Sequence, residues 1–240
     1  PQVWAWKESR VKMMRECIDL MMVILPFEKK YYKEKWNWDV EYVGHPLVQV
    51  IEEFKPTVTS FSNKPVVAVL PGSRKQEISI KLPVMLKVSL QFPQLQFIVA
   101  MAPGIDEKFY KQFTEKYPNV GCVGGLTYDL LKGASAAMVT SGTATLETAL
   151  FGVPEVVCYK GNAFSYHIAK RLITIKFISL VNLIMDKLVV KELIQHGMTT
   201  DAIAGELYEL LHNEERKQVL TANYKALYEL LAAGGNASER

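Results

Sequence analysis

"PVVAVLPGSRKQE", residues 65–77, runs from a β-branched apolar stretch through a Pro-Gly turn into a charged segment. A short apolar run bounded by turn residues predicts a strand, and the pattern beyond the turn predicts a helix over 76–91. The same rhythm returns in "QFIVAM" (96–101), "NVGCVG" (119–124), "AAMVT" (136–140) and "PEVVCYK" (154–160), with helical patterns over 106–117, 126–133 and 143–151 between them. Strands alternating with helices of this length predict βαβ units: an α/β, Rossmann-like parallel sheet with helices on both faces.

Beyond residue 160 the pattern turns helical, with helices expected over 163–174, 189–196, 200–212 and 214–233 and a frayed tail in "AAGGNASER" (232–240). Residues 1–50 differ in kind. They hold all four tryptophans, Trp4, Trp6, Trp36 and Trp38, a basic helical stretch over about 7–22, and strand-like runs in "MMVILPF" and "VEYVGHPL". This organisation predicts the end of a preceding α/β domain at 1–50, a Rossmann-like domain at 51–213 that begins with a linker near 51–64, and a C-terminal helix with its tail at 214–240. The abrupt opening "PQVWAW", without an initiating methionine, reads as part of a longer protein.

The chain of 240 residues is 49% hydrophobic and 22% charged, proportions of a folded globular protein. A net charge of +3 is too mild to argue for nucleic acid, and no basic run is interleaved with aromatics. Cys17, Cys122 and Cys158 form no CxxC and no metal-ligand spacing, and read as reduced core residues of a cytoplasmic protein. No stretch approaches the ~20 apolar residues of a membrane span, and no basic-then-apolar leader opens the chain.

Ligands of open α/β sheets bind beyond the carboxyl ends of the strands, which directs attention to two loops. In "LPGSRKQE" (70–77), Gly72 lets backbone approach a ligand, Ser73 is placed to cap the next helix, and Arg74 offers a fork of donors for phosphate. An ordinary helix start with Arg74 and Glu77 as an exposed pair reads equally well. In "VTSGTATLETALFGVP" (139–154), Ser141, Gly142, Thr143 and Thr145 surround a helix N-terminus, where unpaired N–H groups and the helix dipole favour an anion. Glu147 leans back toward that mouth. Beside phosphate it would repel, but a ribose diol joined to a diphosphate satisfies both groups; the other reading is a simple interaction of Glu147 with the dipole.

Weaker candidates are Asn182, a polar residue in an apolar connection or a turn-former, and Glu192 with Gln195, which would share one face of the helix expected at 189–196. His45 precedes Pro46, a context more often structural than catalytic. His167, His196 and His212 have no ligand spacing, and neither a metal site nor GxGxxG, GxxxxGK[ST] or GxSxG is visible.

Taken in order, "PQVWAW", "VGHPL", "LPGSRKQEI", "SGTATLETALFGVPEVV", "SLVNLIMD" and "VVKELIQ" resemble the lipid-A-disaccharide synthase family, over nearly the whole chain to about residue 200. The resemblance implies the donor-binding half of a GT-B glycosyltransferase. It also implies a reaction: inverting transfer of 2,3-diacylglucosamine from UDP-2,3-diacylglucosamine to the 6-hydroxyl of 2,3-diacylglucosamine 1-phosphate, with release of UDP and no metal or other cofactor. It places Arg74 at the leaving diphosphate, Glu147 at the ribose, and Asn182, Glu192 and Gln195 near the nucleotide. The family's Gly-Glu-Ala-Ser-Gly-Asp segment and its presumed aspartate base have no counterpart here, so the chain alone is expected to bind donor but hardly turn over.

Acyl-chain substrates imply a cytoplasmic enzyme peripheral to the inner membrane, with the tryptophan-rich block and "YHIAKRLITIKF" (166–177) as candidate contacts; core packing with solvated lysines is the competing reading. A homo-oligomer stays open. Another UDP-sugar enzyme of GT-B fold, such as a peptidoglycan glucosaminyltransferase or an epimerase, and a non-catalytic nucleotide-binding module are the rival functions.

Overall fold

The computed structural model describes residues 2–5, 7–161 and 176–235. Its centre is a six-stranded, wholly parallel sheet of β3 (Val66–Leu70), β4 (Gln96–Met101), β5 (Val120–Gly124), β6 (Ala134–Val139), β7 (Glu155–Tyr159) and β8 (Lys191–Ile194). The spatial order is β5-β4-β3-β6-β7-β8, the 3-2-1-4-5-6 order of a doubly wound sheet. All five residues of β3 are buried, as a strand covered on both faces requires.

Alternate residues feed two apolar layers. Val67, Val69 and Met138 face Ile78, Leu82 and Met85 of α4 (Lys75–Val88) and Ile203 and Leu207 of α9 (Thr200–His212). Val66, Ala68, Leu70 and Val139 face Leu130 and Leu131 of α6 (Thr127–Gly133). Two further helices come after strands, α5 (Glu107–Thr114) after β4 and α7 (Thr143–Leu150) after β6. The last helix, α10 (Glu214–Ala232), buries Leu220, Tyr224, Leu227 and Leu231 in the first layer.

Residues before the sheet form α1 (Arg10–Cys17), β1 (Met22–Val23), α2 (Pro26–Trp36), β2 (Glu41–Tyr42) and α3 (Pro46–Glu52), with β1 and β2 parallel. Their own apolar cluster gathers Val11, Met14, Val23 and Tyr32, with Trp36 and Trp38 packed against it. The strand-like "MMVILPF" and "VEYVGHPL" each give only a two-residue strand, because Pro26 and Pro46 open helices at the first helical position, where a missing N–H costs nothing. The helix expected over 7–22 shortens to α1, ending at Ile18 in extended conformation.

Three more expectations change. The segment 189–196 is not a helix: Lys191–Ile194 pairs with β7 as the edge strand β8, and the β-branched "VV" leading into it suits extended backbone. Cys17 is exposed and Cys122 half-buried, so only Cys158 is a core cysteine. The tail is not frayed from 232: Gly234 and Gly235 lie against Gly44, close enough that a Cβ on either Gly44 or Gly234 would strike backbone. The helix expected over 163–174, and His167 with it, lies outside the described residues.

Candidate functional site

The chain visits β3, β4 and β5 on one side, then returns to the far side of β3 with β6. That reversal leaves a crevice between the carboxyl ends of β3 and β6, the usual ligand position in such sheets. Thr140 N–H donates to Leu70 O at 2.9 Å, so the loops leaving the two strands start side by side.

After β3 the turn passes through Gly72 at φ +111°, a conformation that L side chains rarely adopt. Ser73 is exposed but does not cap α4; the capping position belongs to Arg74, whose side chain makes no cap bond. The Arg74 guanidinium reaches out to Glu77 Oε1 at 2.9 Å, with the arginine side chain 81% exposed. The other Glu77 oxygen lies 3.4 Å from Lys81 Nζ, and Lys81 also donates to Thr140 Oγ1. Sequence reasoning missed Lys81. Its signal was available, since it falls on the apolar stripe of α4 between Ile78 and Leu82.

After β6, Gly142 caps α7 with φ +114° and ψ −156°, a region essentially reserved for glycine. Gly142 and Thr143 are exposed and Ser141 is half-buried around the helix mouth. Thr145 is not at that mouth: it is fully buried and its hydroxyl donates to Gly142 O at 2.8 Å. The donors presented outward are therefore Ser141, Thr143 and the first N–H groups of α7.

Glu147 sits in the second turn of α7, half-buried, and accepts a hydrogen bond from the Tyr128 hydroxyl at 3.2 Å. Tyr128 belongs to α6, which opens just after the carboxyl end of β5. Its ring packs with Phe54 and Phe151, at centroid distances of 5.5 and 5.2 Å. Burial among these rings raises the Glu147 pKa, and the Tyr128 hydrogen bond partly opposes the shift. Burial, with the carboxylate beside it, pushes the Tyr128 phenol up to about 12. Tyr128 was also missed, although "GGLTYDLL" comes directly after a strand.

Asn182 and Glu192 come together at the far side of the sheet. Asn182, in α8 (Leu180–Met185), is fully buried; it donates to Val190 O and Glu192 Oε1 and accepts from the N–H groups of Val189 and Val190. These four bonds use every hydrogen-bonding position of the amide, leaving none for a nucleotide. Glu192 also accepts from Ile178 N, Ser179 N and the Ser179 hydroxyl. Gln195 does not share a helix face with Glu192. It lies just past the carboxyl end of β8 at φ +52°, with Nε2 buried and without a partner among the described residues.

His45 caps α3 by accepting from Leu47 N at 3.2 Å, and burial lowers its pKa, both marks of a structural role. Trp4 and Trp36 spend their indole N–H groups inside the protein, on Glu28 Oε1 at 2.8 Å and the Tyr31 hydroxyl at 3.1 Å. These two rings, and Trp38, are packing residues; Trp6 and residues 166–175 lie outside the described residues. Among the described residues no group of three or more His, Cys, Asp or Glu side chains is placed to hold a metal ion. No helix of the described residues is long and apolar enough to cross a membrane.

The family described as LpxB, lipid-A-disaccharide synthetase, matches residues 1–239. A lipid-A-disaccharide synthase of Syntrophus aciditrophicus is 40% identical over 252 residues, covering 100% of this chain and 65% of that protein. One from Trichlorobacter lovleyi is 35% identical over 251 residues, covering 98% of this chain and 64% of its own length. The chain thus spans about two thirds of the relatives it matches.

Among solved structures, the calicheamicin glycosyltransferase CalG4 superposes with a TM-score of 0.61 at 16% identity, covering 97% of this chain and 54% of that one. The UDP-GlcNAc 2-epimerase of Neisseria meningitidis, bound to UDP-GlcNAc, gives 0.56 at 13% identity, covering 95% and 65%. These likenesses establish the fold: the sheet is that of the GT-B glycosyltransferases and epimerases.

Proposed function

The chain belongs to the lipid-A-disaccharide synthetase family, and from that premise we propose that it holds the sugar-nucleotide donor of an inverting glycosyltransferase. The donor is UDP-2,3-diacylglucosamine. Its sugar passes to the 6-hydroxyl of 2,3-diacylglucosamine 1-phosphate to give the lipid A disaccharide. One observation carries the reading: the loops of Arg74 and Gly142 flank the same crevice, with a half-buried carboxylate, Glu147, one turn behind the helix mouth.

Departure of UDP places negative charge on the β-phosphate. The N–H groups opening α7 are fixed donors for that charge and need no reorganisation as it forms; the hydroxyls of Ser141 and Thr143 add to them, and the exposed Arg74 turns from Glu77 to join them. Glu147 accepts from the ribose hydroxyls. Ser73 lies beside the same loop, and the unpartnered Gln195 Nε2 offers a further donor at the same edge of the sheet. Asn182 and Glu192 serve by holding α8 to β8.

Residues 1–50 are the end of the acceptor domain and 51–213 the donor domain in this reading. The isolated chain is proposed to bind donor with little turnover, and robust disaccharide synthesis by it would overturn that. Peripheral contact with the inner membrane, from the cytoplasm, draws on the exposed Met13, Leu20, Met22 and Ile24; failure to float with anionic liposomes at low salt removes it for this chain.

The test is calorimetric titration with UDP, with AMP as control and Glu147→Ala alongside. Selective UDP binding that weakens in the variant supports the donor site. Equal binding of UDP and AMP, or a UDP affinity indifferent to Glu147→Ala, rejects it.

A further inference from the structure

The buried face of α4 carries an ammonium group at the floor of the crevice. Lys81 is 1% exposed, between Ile78, Leu82 and Met85. Its Nζ donates to Thr140 Oγ1, at the very end of β6, and to Glu77 Oε2 at 3.4 Å. Glu77 passes its other oxygen to Arg74 at 2.9 Å, so one carboxylate is shared between a buried cation and an exposed one. Gly72 lies directly above: a Cβ there would meet Glu77 Oε2, Lys81 Nζ and Thr140 Cγ2, each at 3.4 Å.

Folding alone gives this charge no evident purpose. A methionine at the same place keeps the apolar stem, and apolar replacements of buried ion pairs are often neutral or stabilising. Desolvation opposes the ammonium, lowering its pKa, while Glu77 works in the other direction. What the ammonium does supply is local. It ties α4, the helix that follows β3, to the end of β6, and it offsets Glu77, which would otherwise cancel the charge of Arg74.

We infer that Lys81 is a positioning residue for the donor's diphosphate, acting through Thr140, Glu77 and Arg74 to fix the geometry and the positive sign of the loop at 71–74. The inference rests on the donor-site reading above and goes beyond it, because Lys81 need not touch the nucleotide.

The experiment titrates UDP by calorimetry and uridine by ligand-observed NMR into the wild-type chain, Lys81→Met and Thr140→Val. Lys81→Met is expected to lower UDP affinity about tenfold or more, the scale of a lost charge-assisted hydrogen bond, and to leave uridine affinity unchanged. Thr140→Val keeps the charge but loosens its seat, and is expected to give a smaller loss, again for UDP alone. It also serves if Lys81→Met fails to fold. Equal losses for UDP and uridine mean a general structural role and overturn the inference, as does unchanged UDP affinity in both variants. A wild-type chain that does not bind UDP overturns the donor-site reading itself.

Discussion

The Tyr128 hydroxyl donates to Glu147 Oε1 across 3.2 Å, joining the first turn of α6 to the second turn of α7 at the edge of the crevice. Glu147 must be ionised to accept two ribose hydroxyls. Burial raises its pKa, so UDP affinity is expected to fall on acidification sooner than an ordinary carboxylate would dictate. Tyr128→Phe removes the bond that favours the ionised form, and the fall should move to still higher pH. Calorimetry between about pH 5 and 8 reads this directly, and superimposable profiles for the two proteins count against the pairing of Glu147 with ribose.

Arg74 is exposed and, among the described residues, tied only to Glu77, so it is free to re-aim at a diphosphate at little cost. If it stabilises the departing β-phosphate, Arg74→Ala in the complete enzyme should lower kcat by about 10²–10³, the usual effect of losing one donor to developing charge. Donor KM should change far less. A variant whose defect lies wholly in KM assigns Arg74 to ground-state binding instead.

Most of the central sheet was legible because its strands are short apolar runs with Gly or Pro within a few residues of their ends, and β3, β4 and β5 lie within a residue or so of those runs. β8 was not, because "VVKELIQ" is too short for periodicity to separate strand from helix, and only its pairing with β7 decides. In the site, Gly72 and Gly142 were readable from composition, whereas Lys81 and Tyr128 act through partners 59 and 19 residues away. Asn182 misled for a related reason. A buried amide does need partners, but it found all four in the backbone of 189–190 and in Glu192.

Glu155, at the start of β7, is fully buried, with neither carboxyl oxygen hydrogen-bonded among the described residues, and Tyr224 of α10 lies beside it. Desolvation raises its pKa well above 4.5. The folded state therefore binds this proton more tightly than the unfolded chain. Its contribution to stability is complete below the unfolded value and is lost as pH rises toward the folded one, at up to about 1.4 kcal/mol per pH unit. Glu155→Gln imitates the protonated acid and should flatten that slope. Urea unfolding from about pH 5 to 8 provides the comparison; equal slopes in both proteins would mean that Glu155 is solvated or paired.

Gly44 and Gly234 bring the segment after β2 against the end of α10. Tyr42 Oη donates to Leu230 O and Leu231 O, both at 2.9 Å, and His45 N–H donates to Leu231 O at 3.1 Å, so the last carbonyls of the helix are satisfied by residues nearly 190 positions earlier. Gly44 stands at φ +83° and its missing Cβ would fall on the Gly235 carbonyl. Gly44→Ala thus adds a backbone strain of about 1–2 kcal/mol to a collision that only separation relieves. Because neither glycine lies in the sheet, and of α10 only its last turn meets this seam, the damage should be local: faster amide exchange in 41–47 and 228–235, with protection in β3 and β6 retained. Uniformly faster exchange would show instead that this seam supports the whole fold, and unchanged exchange would show that α10 is not held there.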